Sequence, residues 1–215
     1  MTLTKATNKV SRQIQTGQSL PVMEHFYTIQ GEGVHTGRAA YFIRTAGCDV
    51  GCVWCDVKES WQQEGHPVMQ VSAIVKEASR HPAKIAVITG GEPTMHNLAP
   101  LCKSLKEAGF SIHLETSGAH PLTGEFDWIC LSPKKFKHPL SEVYEKAHEL
   151  KVVIYNNHDF KWAREQAEQV SKNCQLILQP EWSKREKMTP KIVEFVKNHP
   201  HWSISLQTHK YLGVP

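Results

Sequence analysis

Seven apolar runs of strand length recur along the chain and limit the folds open to it. They lie at 40–45, 85–89, 110–115, 128–131, 151–155, 175–179 and 203–206. Most are rich in Val, Ile, Leu or aromatic residues with little polar alternation, as expected of strands covered on both faces. Helical spacing appears between several of them. Ser72 can cap a helix whose Ile74, Val75 and Ala78 share a face, and Leu98, Leu101, Cys102 and Leu105 form a second stripe ended by Gly109. Asp159 precedes a polar helix running to Gln169. Thr189-Pro190 opens another that carries Ile192, Val193 and Val196, with proline at its first position. Strand–helix–strand repetition predicts an α/β fold, a parallel sheet with right-handed crossovers. The runs are too few for a complete eight-stranded barrel, and 215 residues fall short of the usual ~250. An incomplete β/α barrel and an open doubly wound sheet both fit the spacing.

No repeat or linker divides the chain, so a single domain is expected. The balance of 25 Lys+Arg against 21 Asp+Glu is a mild surplus spread along the sequence. It suits an anionic ligand and does not call for nucleic acid. No run reaches the ~18 apolar residues that span a bilayer, and the polar first twenty residues lack the apolar core of a secretory signal. Six cysteines are present; three crowd into 48–55, whereas Cys102, Cys130 and Cys174 lie singly in apolar surroundings. That distribution reads as a reducing cytoplasm, one metal or cluster site and three core thiols, not a disulfide framework.

The longest poorly patterned stretch, 48–67, follows the first buried strand, where parallel β/α proteins bind their ligands. It contains Cys48-Asp-Val-Gly-Cys52-Val-Trp-Cys55, a C-x3-C-x2-C spacing in which three thiolates can grip one centre. Zinc would need a fourth ligand; His35 is conceivable, but no second paired element exists. Three thiols on a four-iron cube leave one iron open to a small molecule. Iron–sulfur chemistry, zinc and inert thiols all remain readings of the spacing alone. Thr89-Gly90-Gly91-Glu92-Pro93 directly follows another buried run; its glycines permit close backbone approach, and Glu92 can accept a hydrogen bond from an ammonium.

Together these motifs resemble the radical S-adenosylmethionine (SAM) superfamily. The resemblance implies a 4Fe–4S cluster on Cys48, Cys52 and Cys55, with SAM on the open iron and reductive cleavage yielding a hydrogen-abstracting radical. It puts Trp54 against the adenine and Gly90, Gly91 and Glu92 near the SAM amino group. Thr116, Ser117, Ser132, Lys134 and Gln179 complete the cofactor set.

A wider pattern is similar to the 7-carboxy-7-deazaguanine synthase family. It comprises Glu24 to Gly33 with its Q-G-E-G turn, Glu115-Thr-Ser-Gly118, Leu131-Ser132-Pro-Lys134, Gln179-Pro180 and Gln207 to Pro215. The likeness implies an incomplete (β/α) barrel of about six parallel strands, spanning 22–215, with 1–21 a tail or extension dispensable for turnover. It implies conversion of 6-carboxy-5,6,7,8-tetrahydropterin to 7-carboxy-7-deazaguanine with loss of ammonia, in 7-deazapurine and queuosine synthesis. The substrate residues are then Ile29, Gln30, Gly31, Glu32, Arg44, Thr89, His209 and Pro215. Glu32 faces the pterin edge, Arg44 clamps the carboxylate, and the terminal carboxylate of Pro215 meets the substrate. A homodimer and a reduced flavodoxin or ferredoxin as electron donor come with the family. Members often carry a hydroxyl residue two places after the third cysteine, supporting Mg²⁺; here Val57 stands there, so Mg²⁺ is in doubt unless Asp56, Glu59 or Ser60 compensates. Two other functions share parts of the pattern: an activase that makes a glycyl radical on a partner protein, and a non-catalytic metal-binding module.

Overall fold

The computed structural model describes residues 11–215. After a short helical stretch at 11–15, the strands are β1 (Ser19–Ile29), β2 (Ala39–Thr45), β3 (Val68–Gln70), β4 (Ile85–Gly90) and β5 (Ser111–Thr116). Then come β6 (Trp128–Leu131), β7 (Glu149–Ile154), β8 (Gln175–Pro180) and β9 (Trp202–Ile204). The helices are α1 (Val71–Ala78), α2 (Ala99–Glu107), α3 (Ser141–Lys146), α4 (His158–Ala167), α5 (Arg185–Asn198) and α6 (Thr208–Leu212). One sheet holds all nine strands in the order β3-β1-β2-β4-β5-β6-β7-β8-β9. From β2 to β9 every pairing is parallel, and β1 is antiparallel to both of its neighbours. The sheet does not close, so the fold is an incomplete β/α barrel with seven parallel strands.

Alternation along each strand separates two environments. Outward residues pack under the helices: Tyr41, Ile43, Ala86, Ile88, Ile112 and Leu114 form one core with α1 and α2. Leu150, Val152, Ile154 and Leu178 form a second with α3, α4 and α5. The residues between them face the lumen, where Phe42 and Val87 give way toward the carboxyl ends to Arg44, Thr89, Glu115, Lys151 and Gln179. The expectation of strands apolar on both faces therefore holds only for the helix-covered side. A polar lumen supplies the other half of the pattern.

Three further expectations shift. The boundary at 21/22 falls inside β1, because Ser19, Leu20 and Pro21 pair with Gln70, Met69 and Val68, and Leu20 is fully buried. Of that segment, residues 1–10 lie outside the described residues. The helix expected to begin at Thr189-Pro190 begins at Arg185 and holds Pro190 in its interior. Buried Met188 anchors the extra turn, and Pro190 is exposed, so water can take the carbonyl its ring leaves without a donor. Finally, β1, β3 and α3 are elements the apolar runs did not announce.

Candidate active site

The lumen opens at the carboxyl ends of the strands into a cavity of about 260 Å³. Every residue expected to hold the cluster, SAM or substrate lines it, from Cys48, Cys52 and Cys55 through Gly90, Gly91 and Glu92 to His209 and Pro215, whereas the alternative metal ligands His35, Glu59 and Ser60 do not. Its floor is built by the turn after β1. That turn crosses to the far edge of the sheet: the Gly33 amide donates to Ser205 Oγ at 2.8 Å, and the Thr208 amide donates to the Gly31 carbonyl at 2.9 Å. A Cβ on Gly31 would collide with the His209 ring, so only glycine lets α6 seat against the floor.

At the mouth, the cysteine loop packs Val50 and Cys52 on Ala119. Burial pushes the Cys52 thiol up to about 11 and raises Cys48 as well. All six cysteines are free. Among the described residues no three His, Cys, Asp or Glu side chains converge on a point suited to a single metal ion. Zinc held at ~2.3 Å from each sulfur needs such convergence. Three thiols lining one cavity are the ligand set that leaves one iron of a four-iron cube open. His35 stands elsewhere, against His113 and Trp128 with both ring centroids at 4.5 Å.

The T-G-G-E-P segment is also a structural joint. A Cβ on Gly91 would strike the Gly47 carbonyl and Cys48, so its close approach is to the cysteine loop. The Glu92 amide donates to the Gly47 carbonyl at 2.8 Å, locking the two segments together. Glu92 itself is buried and saturated. One oxygen accepts from the Thr94 amide and from the hydroxyls of Thr94 and Thr116 (3.1, 2.6 and 2.5 Å). The other accepts from the Ser117 amide and hydroxyl (2.8 and 2.5 Å). Glu92, Thr116 and Ser117 thus brace the ends of β4 and β5 against each other. Beside the cysteines, Trp54 is half-buried with Lys134 Nζ 5.5 Å above its ring, and that ammonium donates to both oxygens of Ser132 at 2.6 Å. An aromatic face and a cation adjoining the thiols fit a ligand with a purine and a carboxylate, as SAM has.

Deeper in the lumen is a charge cluster that motif reading missed. Lys151 Nζ lies 2.5 Å from Glu32 and 3.5 Å from Glu115. Gln207 donates to the other oxygen of Glu32, and Gln30 donates to the other oxygen of Glu115, each at 2.9 Å. Burial works to raise the Glu32 carboxyl, but the Lys151 charge and hydrogen bond, with those of Gln179 and Gln207, outweigh it and hold it at about 2. A lysine and a glutamate inside otherwise apolar strands were the available signal. Arg44 lines the cavity with its Nε on Glu24 at 2.7 Å, leaving the terminal guanidinium nitrogens for a ligand.

Two residues after the third cysteine, the side-chain oxygen that would support Mg²⁺ is missing. Val57 has no side-chain oxygen, and Asp56 accepts from Lys210 Nζ at 3.0 Å and from Gln207 Nε2 at 3.3 Å. An ammonium thus balances Asp56, and Gln207 is shared between Asp56 and Glu32.

The Radical SAM superfamily description matches residues 42–169. A 7-carboxy-7-deazaguanine synthase from Flavobacterium psychrophilum is 57% identical over 209 residues, covering 97% of this chain and 99% of that protein. The enzyme of the same name from Synechocystis sp. is 52% identical over 91% of this chain and 94% of its own. A crystal structure of QueE from Escherichia coli superposes with a TM-score of 0.83 at 32% identity, covering 92% of this chain and 98% of that one.

Proposed function

The chain belongs to the radical SAM superfamily and, within it, to the 7-carboxy-7-deazaguanine synthases, and on that footing we propose how its residues perform the reaction. It is a radical SAM lyase that converts 6-carboxy-5,6,7,8-tetrahydropterin to 7-carboxy-7-deazaguanine with loss of ammonia. The observation that carries the assignment is convergence: the cysteine loop, the Gly-Gly-Glu turn, the Q-G-E-G floor and the terminal Pro215 all face one cavity.

Cys48, Cys52 and Cys55 hold the 4Fe–4S cluster, and cluster and SAM when bound supply hydrogen-atom abstraction. The protein binds, orients and excludes water. Trp54 offers its face to the adenine and Lys134 its charge to the SAM carboxylate, with Ser132 and Gln179 alongside. The backbone at Gly90 and Gly91 shapes the amino-group side, braced from behind by Glu92, Thr116 and Ser117. Below, Glu32 accepts from the N–H-rich pterin edge, Arg44 faces the substrate carboxylate, and Ile29, Gln30, Gly31, Thr89 and His209 wall the ring in. Pro215, in the cavity wall, caps the substrate.

An anaerobic assay of reconstituted enzyme with SAM, dithionite and carboxytetrahydropterin tests this by mass spectrometry. Product that vanishes in Cys52→Ala is expected; SAM cleavage without product would remove the substrate assignment. Because Lys210 already balances Asp56 and Val57 offers no oxygen, turnover should change less than about twofold between chelator and millimolar Mg²⁺. A strong saturable requirement would overturn that. A reduced flavodoxin or ferredoxin as donor, a homodimer and a cytoplasmic setting belong to the same proposal. Six free cysteines support the reducing setting, and among the described residues no helix is long and apolar enough to cross a membrane.

A further inference from the structure

Lys151 is 4% exposed and sits at the centre of the lumen floor, contacted by two carboxylates from distant parts of the chain. Each carboxylate has one oxygen pinned by an amide, Gln207 on Glu32 and Gln30 on Glu115, and the other turned to the same ammonium. Both carboxylates also line the cavity. Two negative charges against one positive leave the floor anionic and rich in acceptors. Such a surface selects a ligand edge with several N–H donors. The structure assigns Lys151 the role of positioning residue: it holds Glu32 and Glu115 side by side as a twin acceptor for the aminopyrimidine edge of the substrate, so that Glu115 shares recognition with Glu32. The assignment rests on the functional reading above and extends it to the specificity of the floor.

A purely packing lysine and a positioning lysine differ in what happens when the charge is removed. The groups facing Lys151 are Glu32 from the turn after β1, Glu115 from β5, Cys130 from β6 and Glu149 from its own strand. Lys134 at the mouth lies within its field, and His209 lies within that of both carboxylates. Burial disfavours the ammonium, but the charges of Glu115 and Glu32 more than offset it. Take the charge away and burial raises Glu32 against only the hydrogen bonds of Gln179 and Gln207, with the Glu115 carboxylate left facing it. Glu32 then holds its proton to higher pH than in the wild type and loses it as pH rises further. An acceptor that has become a protonated acid binds an N–H edge poorly, so the defect must be largest at low pH.

The test is equilibrium binding of 6-carboxypterin to cluster- and SAM-loaded enzyme without reductant, at pH 6 to 9, in wild type and Lys151→Met. Taking the ratio at each pH cancels ionisation of the probe. The variant should bind about 100-fold more weakly at pH 6 and within about tenfold at pH 9. In turnover the same trend should appear in KM more than in kcat. If Lys151→Met does not fold, Lys151→Met with Glu115→Gln relieves the repulsion and leaves Glu32 to report, with the same direction of change. A ratio independent of pH overturns the positioning role while leaving the synthase reading intact. Wild-type enzyme that does not bind the probe overturns both.

Discussion

Glu92 is the residue whose sequence motif is plainest and whose structural task is least obvious from it. Five donors converge on its carboxylate, from Thr94, Thr116 and Ser117, and it is 1% exposed. A glutamine of the same shape keeps one acceptor oxygen and turns an NH2 toward donors that include a fixed backbone amide. Glu92→Gln should therefore lower unfolding stability by about 2–4 kcal/mol, read by urea denaturation. Unchanged stability with lost SAM cleavage would make Glu92 a ligand group instead of a brace. Cys48, Cys52, Cys55 and Gly91 were legible because each motif places its members within a few residues of one another. Lys151 and Glu32 were harder to join: they are 119 residues apart, and nothing local signals that a lysine in one strand answers a glutamate in a turn. Glu115 was visible only as part of a matching string. Its alternation with Ile112 and Leu114 would have placed it on the lumen face.

At the level of elements, the apolar runs located β2 and β4 to β9 because each buries one face under helices. They missed β1 because its character changes midway. Leu20 and Val22 are fully buried, whereas from Glu24 to Ile29 the strand is half-exposed and polar residues interrupt it. β3 is three residues long and mostly exposed, too short for any periodicity to register. The start of β1 nonetheless carries weight. Deleting residues 1–21 removes Leu20 and the pairing of Ser19 to Pro21 with β3, which should cost about 2–3 kcal/mol from the leucine alone and lower Tm measurably. Deleting only residues 1–10 leaves those contacts in place and should keep Tm and turnover. Equal Tm for the two truncations would show that the β1–β3 pairing contributes nothing.

The whole molecule solves a problem that an open sheet poses: a radical reaction needs a closed vessel, yet β3 and β9 do not meet. Loops do the closing. The turn after β1 spans the floor to Ser205 and Thr208, and α6 is tied back to the cysteine loop through Lys210 and Asp56. The C-terminal segment is thus a wall of the cavity, with Pro215 at its edge. Strand counting left an incomplete barrel and an open sheet both standing, and this seam was beyond it, since hydrogen bonds between distant segments leave no periodic trace. The consequence separates chemistry from stability. Removing Pro215 alone takes one wall residue from the cavity while sparing every contact of Gln207, Thr208 and Lys210, so kcat/KM should fall about 100-fold or more with Tm within about 2 °C of wild type. Removing 208–215 also opens the seam and should lower both. Full activity without Pro215 would mean that this residue caps nothing, and that the floor and cluster loop alone enclose the substrate.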